Sequence, residues 1–117
     1  MLVLNRFVVP TDAPAGAADG FVERAHAALA ALAARPGYVS GRLTRALDDP
    51  AHWTLVTEWE SVGAYRRALG DFDVKVNATP LLALSVDTPS AFETLASAEP
   101  GGPVVVTESD RAAESAR

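Results

Sequence analysis

The side chains able to do chemistry are few and scattered. Asn5 is a lone carboxamide in an apolar alternation, beside Val3 and Phe7. It is either a donor and acceptor that orients a small molecule or a buried amide satisfied by backbone, as burial demands. His52 follows the stretch Asp48-Asp49-Pro50-Ala51 and is the better of two histidines as a general base, although turn-adjacent histidines are mostly exposed. Trp59 can wall an aromatic ligand or simply fill a core, and Trp53 reads as structural. Tyr65 and Arg66 are adjacent: a phenol able to donate to a carbonyl, and a guanidinium able to stabilise a phenolate. Against that, Tyr65 shares an apolar stripe with Val62 and Leu69, and Arg66-Arg67 is the pattern of a solvated helix face. Tyr38 and Asn77 are candidate pocket walls, and Phe7 is a candidate contact for a ring. Two isolated histidines and no cysteine speak against a metal site, a thiolate nucleophile and a disulfide scaffold. No phosphate-binding glycine loop and no Ser-His-Asp pattern is present. Asp71 and Asp73 are two apart, which suits a helix start better than a paired carboxylate.

The elements that must position these groups follow from periodicity. Residues 2–9 are rich in apolar and β-branched types and close at Pro10, a strand. Residues 11–20 are a loop of Ala, Gly, Pro and Asp. A helix is expected over residues 20–35, with Asp19 as N-cap and Phe21, Ala25, Ala28, Leu29 and Leu32 on one stripe. Pro36-Gly37 stops it. Residues 38–47 and 52–60 read as two strands joined by the Asp48-Asp49-Pro50 turn, an antiparallel hairpin. Ser61 can cap a helix reaching about Leu69, and residues 71–84 continue helically with a break at Pro80. Residues 90–96 are a fourth strand. The order β-α-β-β-α-β is the ferredoxin-like split motif, an α+β fold with a four-stranded antiparallel sheet and both helices on one face.

With 117 residues the chain is one domain, and a net charge of −5 disfavours a nucleic-acid partner. No apolar run is long enough to span a bilayer and no signal peptide is visible, so a soluble cytoplasmic protein with no membrane partner is expected. The composition shifts near residue 96, which divides a domain over 1–96 from an acidic tail over 97–117. The tail holds Pro100-Gly101-Gly102-Pro103 and ends in alternating charges, so it is expected to be mostly disordered. Its one β-prone run, Val104-Val105-Val106-Thr107, can pair with an edge strand of its own chain or a neighbour's.

Two helices cover only one face of such a sheet. The other face should be polar if it meets water. Instead Leu2, Leu4 and Val8 point one way on the first strand while Val3, Phe7 and Val9 point the other, and on the third strand Val56 opposes Trp53, Leu55 and Trp59. On the fourth strand Phe92 opposes Leu95. A bare apolar face is an aggregation hazard, and a second copy packed sheet to sheet would cover it. A homodimer is therefore expected.

An ordered set of short stretches carries a family likeness over residues 1–96: Asn5-Arg6, Arg35-Pro36-Gly37-Tyr38, Trp59-Glu60-Ser61 and Tyr65-Arg66. In these the chain resembles the antibiotic biosynthesis monooxygenase family of dimeric α/β barrels. The resemblance implies oxygen insertion into a small aromatic or quinol-type, polyketide-like substrate by dioxygen, with no cofactor, neither metal nor flavin. A phenol or anthrone can lose a proton to give a carbanion that itself reduces dioxygen. The protein then supplies an apolar pocket between helices and sheet, a base, and donors for the oxyanion. Under that reading Asn5, Trp59, Tyr65, Arg66 and His52 are the catalytic candidates, and Phe7, Tyr38 and Asn77 bind substrate. The same superfold also suits a non-catalytic dimer that binds a hydrophobic ligand or has a stress role, and the lack of a convincing base favours that rival. A second branch of the family degrades haem, with an Asn on the first strand, a Trp on the second helix and a His ligand beyond it. Asn5 matches the first, but Ala68 and Asn77 stand at the other two, so ordinary proximal ligation is lost.

Overall fold

The computed structural model describes residues 1–12 and 16–109. Its elements in chain order are β1 (Leu2–Val8), α1 (Ala17–Ala33), β2 (Tyr38–Arg45), β3 (His52–Trp59), α2 (Val62–Leu69), α3 (Phe72–Asn77), α4 (Thr79–Leu82), β4 (Ala91–Phe92), β5 (Ala96–Ser97) and β6 (Val105–Val106). The first four strands named form one sheet in the order β2-β3-β1-β4, with every pairing antiparallel. This is the ferredoxin-like α+β arrangement, with β1 and β3 central because both are the most apolar strands.

The core lies between the sheet and the helices. Val3 and Phe7 from β1 and Leu55 and Trp59 from β3 meet Ala25, Ala28, Ala31 and Leu32 of α1. The alanines let α1 sit close to the sheet, so its small side chains set the layer spacing. Val74, Ala78 and Leu81 close the same core from α3 and α4. Asp71 does two jobs at that corner. Its carboxylate accepts from the backbone N–H groups of Asp73 and Val74, capping α3, and it pairs with Arg35 at 3.2 Å, tying the end of α1 to the start of α3. The helix-start reading of Asp71 and Asp73 is what the structure has.

Gly37 joins α1 to the hairpin at φ +86°, and a Cβ there would collide with the Cβ of Ala64. Only glycine takes that backbone angle and that approach without strain. Ser61 caps α2 as expected, its hydroxyl accepting from the Ala64 N–H at 3.0 Å.

Four boundaries differ from expectation. The first helix begins at Ala17, with Gly16 at φ 88° as N-cap, and Asp19 lies inside the first turn instead of capping. A carboxylate there still favours the positive end of the helix, which is why the sequence signal resembled a cap. The helical segment after Asp71 breaks at Ala78, and Pro80 sits in the first turn of α4, where its missing N–H costs nothing. The second strand ends at Arg45, two residues early, with a bulge between Tyr38 and Ser40. The last strand of the sheet is only Ala91–Phe92, because Ala96–Ser97 turns away to pair with Val105–Val106. Residues 96–106 thus form a second, two-stranded sheet, where a mostly disordered tail had been expected. The rest of that tail, 110–117, and the loop residues 13–15 lie outside the described residues. No described helix is long and apolar enough to cross a membrane.

The face of the sheet away from the helices is mixed. Register places Leu2 beside Phe92 and Glu58, Leu4 beside Val56, Arg6 beside Thr54, and Val8 beside His52. Arg42 pairs with Val56 and Thr44 with Thr54 on the β2 side. The expected apolar face is therefore a strip across β4, β1 and β3, bordered by polar side chains on β2. Among the strip residues Leu2, Val8 and Phe92 are exposed.

Candidate functional site

The end of β3 builds an aromatic stack. Trp59 is 1% exposed, and its indole N–H donates to the Thr57 hydroxyl at 2.9 Å. Tyr38 meets it edge-on, ring centroids 5.4 Å apart, and Tyr65 packs on it at 5.5 Å with the planes inclined by 53°. These separations are those of favourable aromatic pairs. Tyr38 arrives from the start of β2, Trp59 from the end of β3 and Tyr65 from the middle of α2, so the stack stitches hairpin to helix.

Tyr65 is the outer member. It lines a groove of about 600 Å³ between α2 and β4, together with Val62, Arg66 and Leu69 of the helix. Met1, Ala91, Phe92 and Glu93 form the other wall. The lining is mostly apolar, with one guanidinium, one phenol and one carboxylate. Burial pushes the Tyr65 phenol above its ordinary pKa of 10.0, and the same cause raises Tyr38. Both are neutral hydrogen-bond donors around neutral pH and neither is a base there. Arg66 is exposed, and no ion pair to it occurs among the described residues.

The other candidates lie elsewhere. Asn5 is half-buried on the helix-facing side of β1, paired with Leu55, and its carboxamide makes no hydrogen bond among the described residues. It is four residues along the chain from Met1, roughly 13 Å at strand spacing, and does not line the groove. Phe7 is buried and packs on Phe21 at 5.2 Å, which in turn packs on Trp53 at 5.3 Å, with Arg45 5.2 Å above the indole. His52 sits at the opposite end of β3 from Trp59, roughly 23 Å away, on the sheet face without helices. It is exposed and pairs with Asp49 at 3.2 Å. Asn77 is exposed at the end of α3, donating to Asp73 at 2.5 Å. So the fold gathers Tyr38, Trp59, Tyr65 and Arg66 and leaves Asn5, Phe7, His52 and Asn77 apart from them.

The groove also uses side chains that sequence reasoning had given only to packing. Val62 and Leu69 were on the right stripe, which lines the groove as well as the core edge. Phe92 and Met1 had no signal, since they reach the groove only once β4 closes beside β1. Thr57 had one: a hydroxyl between Leu55 and Trp59 on a core-facing alternation. Among the described residues no group of three or more His, Asp or Glu is placed to hold a metal ion.

The fold matches known proteins. Residues 6–73 match the family model for antibiotic biosynthesis monooxygenase, more than half of the chain, and the chain belongs to that family. Among solved structures it is similar to SnoaB, a cofactor-independent oxygenase from Streptomyces nogalater, at 32% identity and a TM-score of 0.59, over 80% of this chain and 94% of that one. Rv0793 from Mycobacterium tuberculosis shares the fold at 17% identity and a TM-score of 0.57, over 95% of this chain and 97% of that one. A conserved protein from Methanosarcina mazei does so at 18% identity and a TM-score of 0.60, over 77% and 84%. No curated protein matches the chain.

Proposed function

We propose that the protein is a cofactor-independent monooxygenase acting on a small aromatic ketone or quinol, of the anthrone type, with dioxygen. The observation that carries this is the apolar groove with a neutral phenol and an exposed guanidinium on one helix face. Family membership and the likeness to SnoaB support it. An anthrone CH₂ is acidic because its enolate is aromatic, and its proton leaves to solvent water at the open side of the groove. Tyr65 donates to the developing enolate oxygen, and Arg66 adds a positive charge near it in a partly dry site. The carbanion then delivers electrons to dioxygen. In balance, the CH₂ and one O₂ give a C=O and one water, so no external reductant is required. The groove walls and the ring of Tyr65 hold the substrate rings flat while this happens.

A second reading keeps the same groove as a non-catalytic site for an aromatic ligand. The distance of both phenols from any basic role, and of His52 from the groove, favours it. Oxygen uptake with 1,8-dihydroxyanthrone separates the two. Turnover above the spontaneous rate is expected, reduced about 100- to 1,000-fold by Tyr65→Phe or Arg66→Ala, the scale of a lost oxyanion donor. Saturable binding with no turnover across a panel of anthrones and hydroquinones would leave the binding reading alone standing.

The partner is a second copy of the chain. Burying a few hundred Å² of the strip on each subunit would contribute several kcal/mol, at about 25 cal/mol per Å², before association costs.

A further inference from the structure

Among the described residues Thr57 is the one buried polar side chain, 2% exposed beside Val3, Leu55 and Trp59. Val would fill that space, so the hydroxyl needs a reason. Its oxygen accepts the Trp59 indole N–H at 2.9 Å, an N–H that has no water to turn to. An indole held only by packing can tip within its cavity, whereas one held at its nitrogen keeps its plane. The opposite edge of the same strand pair is also shaped. A Cβ at Gly41 would stand 2.5 Å from the Tyr38 hydroxyl and 3.1 Å from the Thr57 methyl. The missing side chain is what lets the Tyr38 phenol lie beside Thr57 while its ring braces Trp59. Trp59 is thus held at its nitrogen by Thr57 and braced by the ring of Tyr38, and Tyr65 packs on the same indole.

We infer that Thr57 is a positioning residue for the groove: by fixing the indole of Trp59 it sets the ring of Tyr65 and so the wall on which an aromatic ligand stacks. Thr57 touches no ligand itself, and its effect on ligand affinity rests on the groove being the binding site proposed above. The consequence is that ligand recognition depends on a hydroxyl one shell behind the wall, on a strand facing the core.

The test uses Thr57→Val, which keeps the shape and removes the acceptor, and Thr57→Ser, which restores it. Two readings are taken on each full-length variant: the NMR signals of the Trp59 indole N–H and the Tyr65 ring, and the dissociation constant of 1,8-dihydroxyanthrone. Thr57→Val is expected to shift the Trp59 and Tyr65 signals together and weaken the anthrone about tenfold, the scale of one neutral hydrogen bond. Thr57→Ser is expected to recover both. Thr57→Cys, with a weaker acceptor, should fall between and serves if the valine variant does not fold. Unmoved Tyr65 signals in a folded Thr57→Val protein overturn the inference, as does unchanged affinity beside a shifted indole. Should the unaltered protein not bind the anthrone at all, the functional reading fails. The spectroscopic arm still decides the positioning role, because it needs no ligand.

Discussion

Tyr65 carries the argument at the level of single residues, because burial gives it a definite protonation state. Its phenol is raised above 10.0 by desolvation, as is that of Tyr38. The folded state therefore holds these protons more tightly than the unfolded chain does. The stability that goes with this is complete below pH 10 and is lost as pH rises through the folded values. Thermal melts between pH 8 and 12 should be level at first and then fall with alkali, and Tyr65→Phe should flatten that fall. A Tyr65→Phe protein that melts along the same curve would show that the phenol titrates alike in the folded and the unfolded chain. The residue scale was also where the sequence was least legible. Asn5 and His52 have the right chemical types, but type says nothing about which end of a strand a side chain occupies. Once the hairpin register is known, His52 is one strand-length from Trp59. Tyr65 and Arg66 are legible because a helix keeps neighbours near each other, whereas Thr57 is not, since one hydroxyl among apolar residues has many innocent uses.

At the scale of elements the site depends on how α2 is docked. Gly37 and Ala64 form the close contact that sets this helix against the end of α1 and the hairpin. Gly37→Ala adds a side chain where the backbone is left-handed and where Ala64 already stands. The strain of the backbone angle alone is worth roughly 1–2 kcal/mol, and the collision adds to it. Urea unfolding should show a loss of about 2–4 kcal/mol, accompanied by weaker anthrone binding because Val62, Tyr65 and Leu69 move with the helix. The elements themselves were readable where periodicity ran long. The stripe of α1, the hairpin around Asp48-Asp49-Pro50 and the Ser61 cap all follow from local chemistry. The short elements were not. Ala91–Phe92 is two residues of sheet, and its end is decided by a competing partner, Val105–Val106, whose pull on Ala96 no local rule expresses.

The whole molecule presents two kinds of uncovered apolar surface. One is the strip of Leu2, Leu4, Val56 and Phe92 on the open sheet face. The other is the β5-β6 arm, whose Leu95, Val104, Val105 and Val106 are all exposed. The chain is long for its size: a radius of gyration of 16.1 Å, against about 13–14 Å for a compact domain of this length. A monomer gains nothing from either feature, whereas a two-fold pairing of open faces would bury the strip against its own copy. Arg6, Arg42 and Glu58 on the border would then fix the angle at which the sheets cross, since like charges are excluded from facing each other. Leu4 and Val56 are direct neighbours at the centre of the strip, and neither contributes to the helix-side core. Leu4→Glu should therefore spare the fold and break the pair, because two carboxylates would be buried across the symmetry axis without partners. Sedimentation should find the unaltered protein dimeric at micromolar concentration and the Leu4→Glu protein monomeric, with unchanged far-ultraviolet circular dichroism. If the unaltered chain sediments as a monomer at high concentration, the strip is a narrow exposed patch and the paired architecture falls with it. The groove is a separate matter, for it lies between α2 and β4 of one chain, and its binding would persist in the monomer unless Phe92, which borders both strip and groove, shifts when the pair separates.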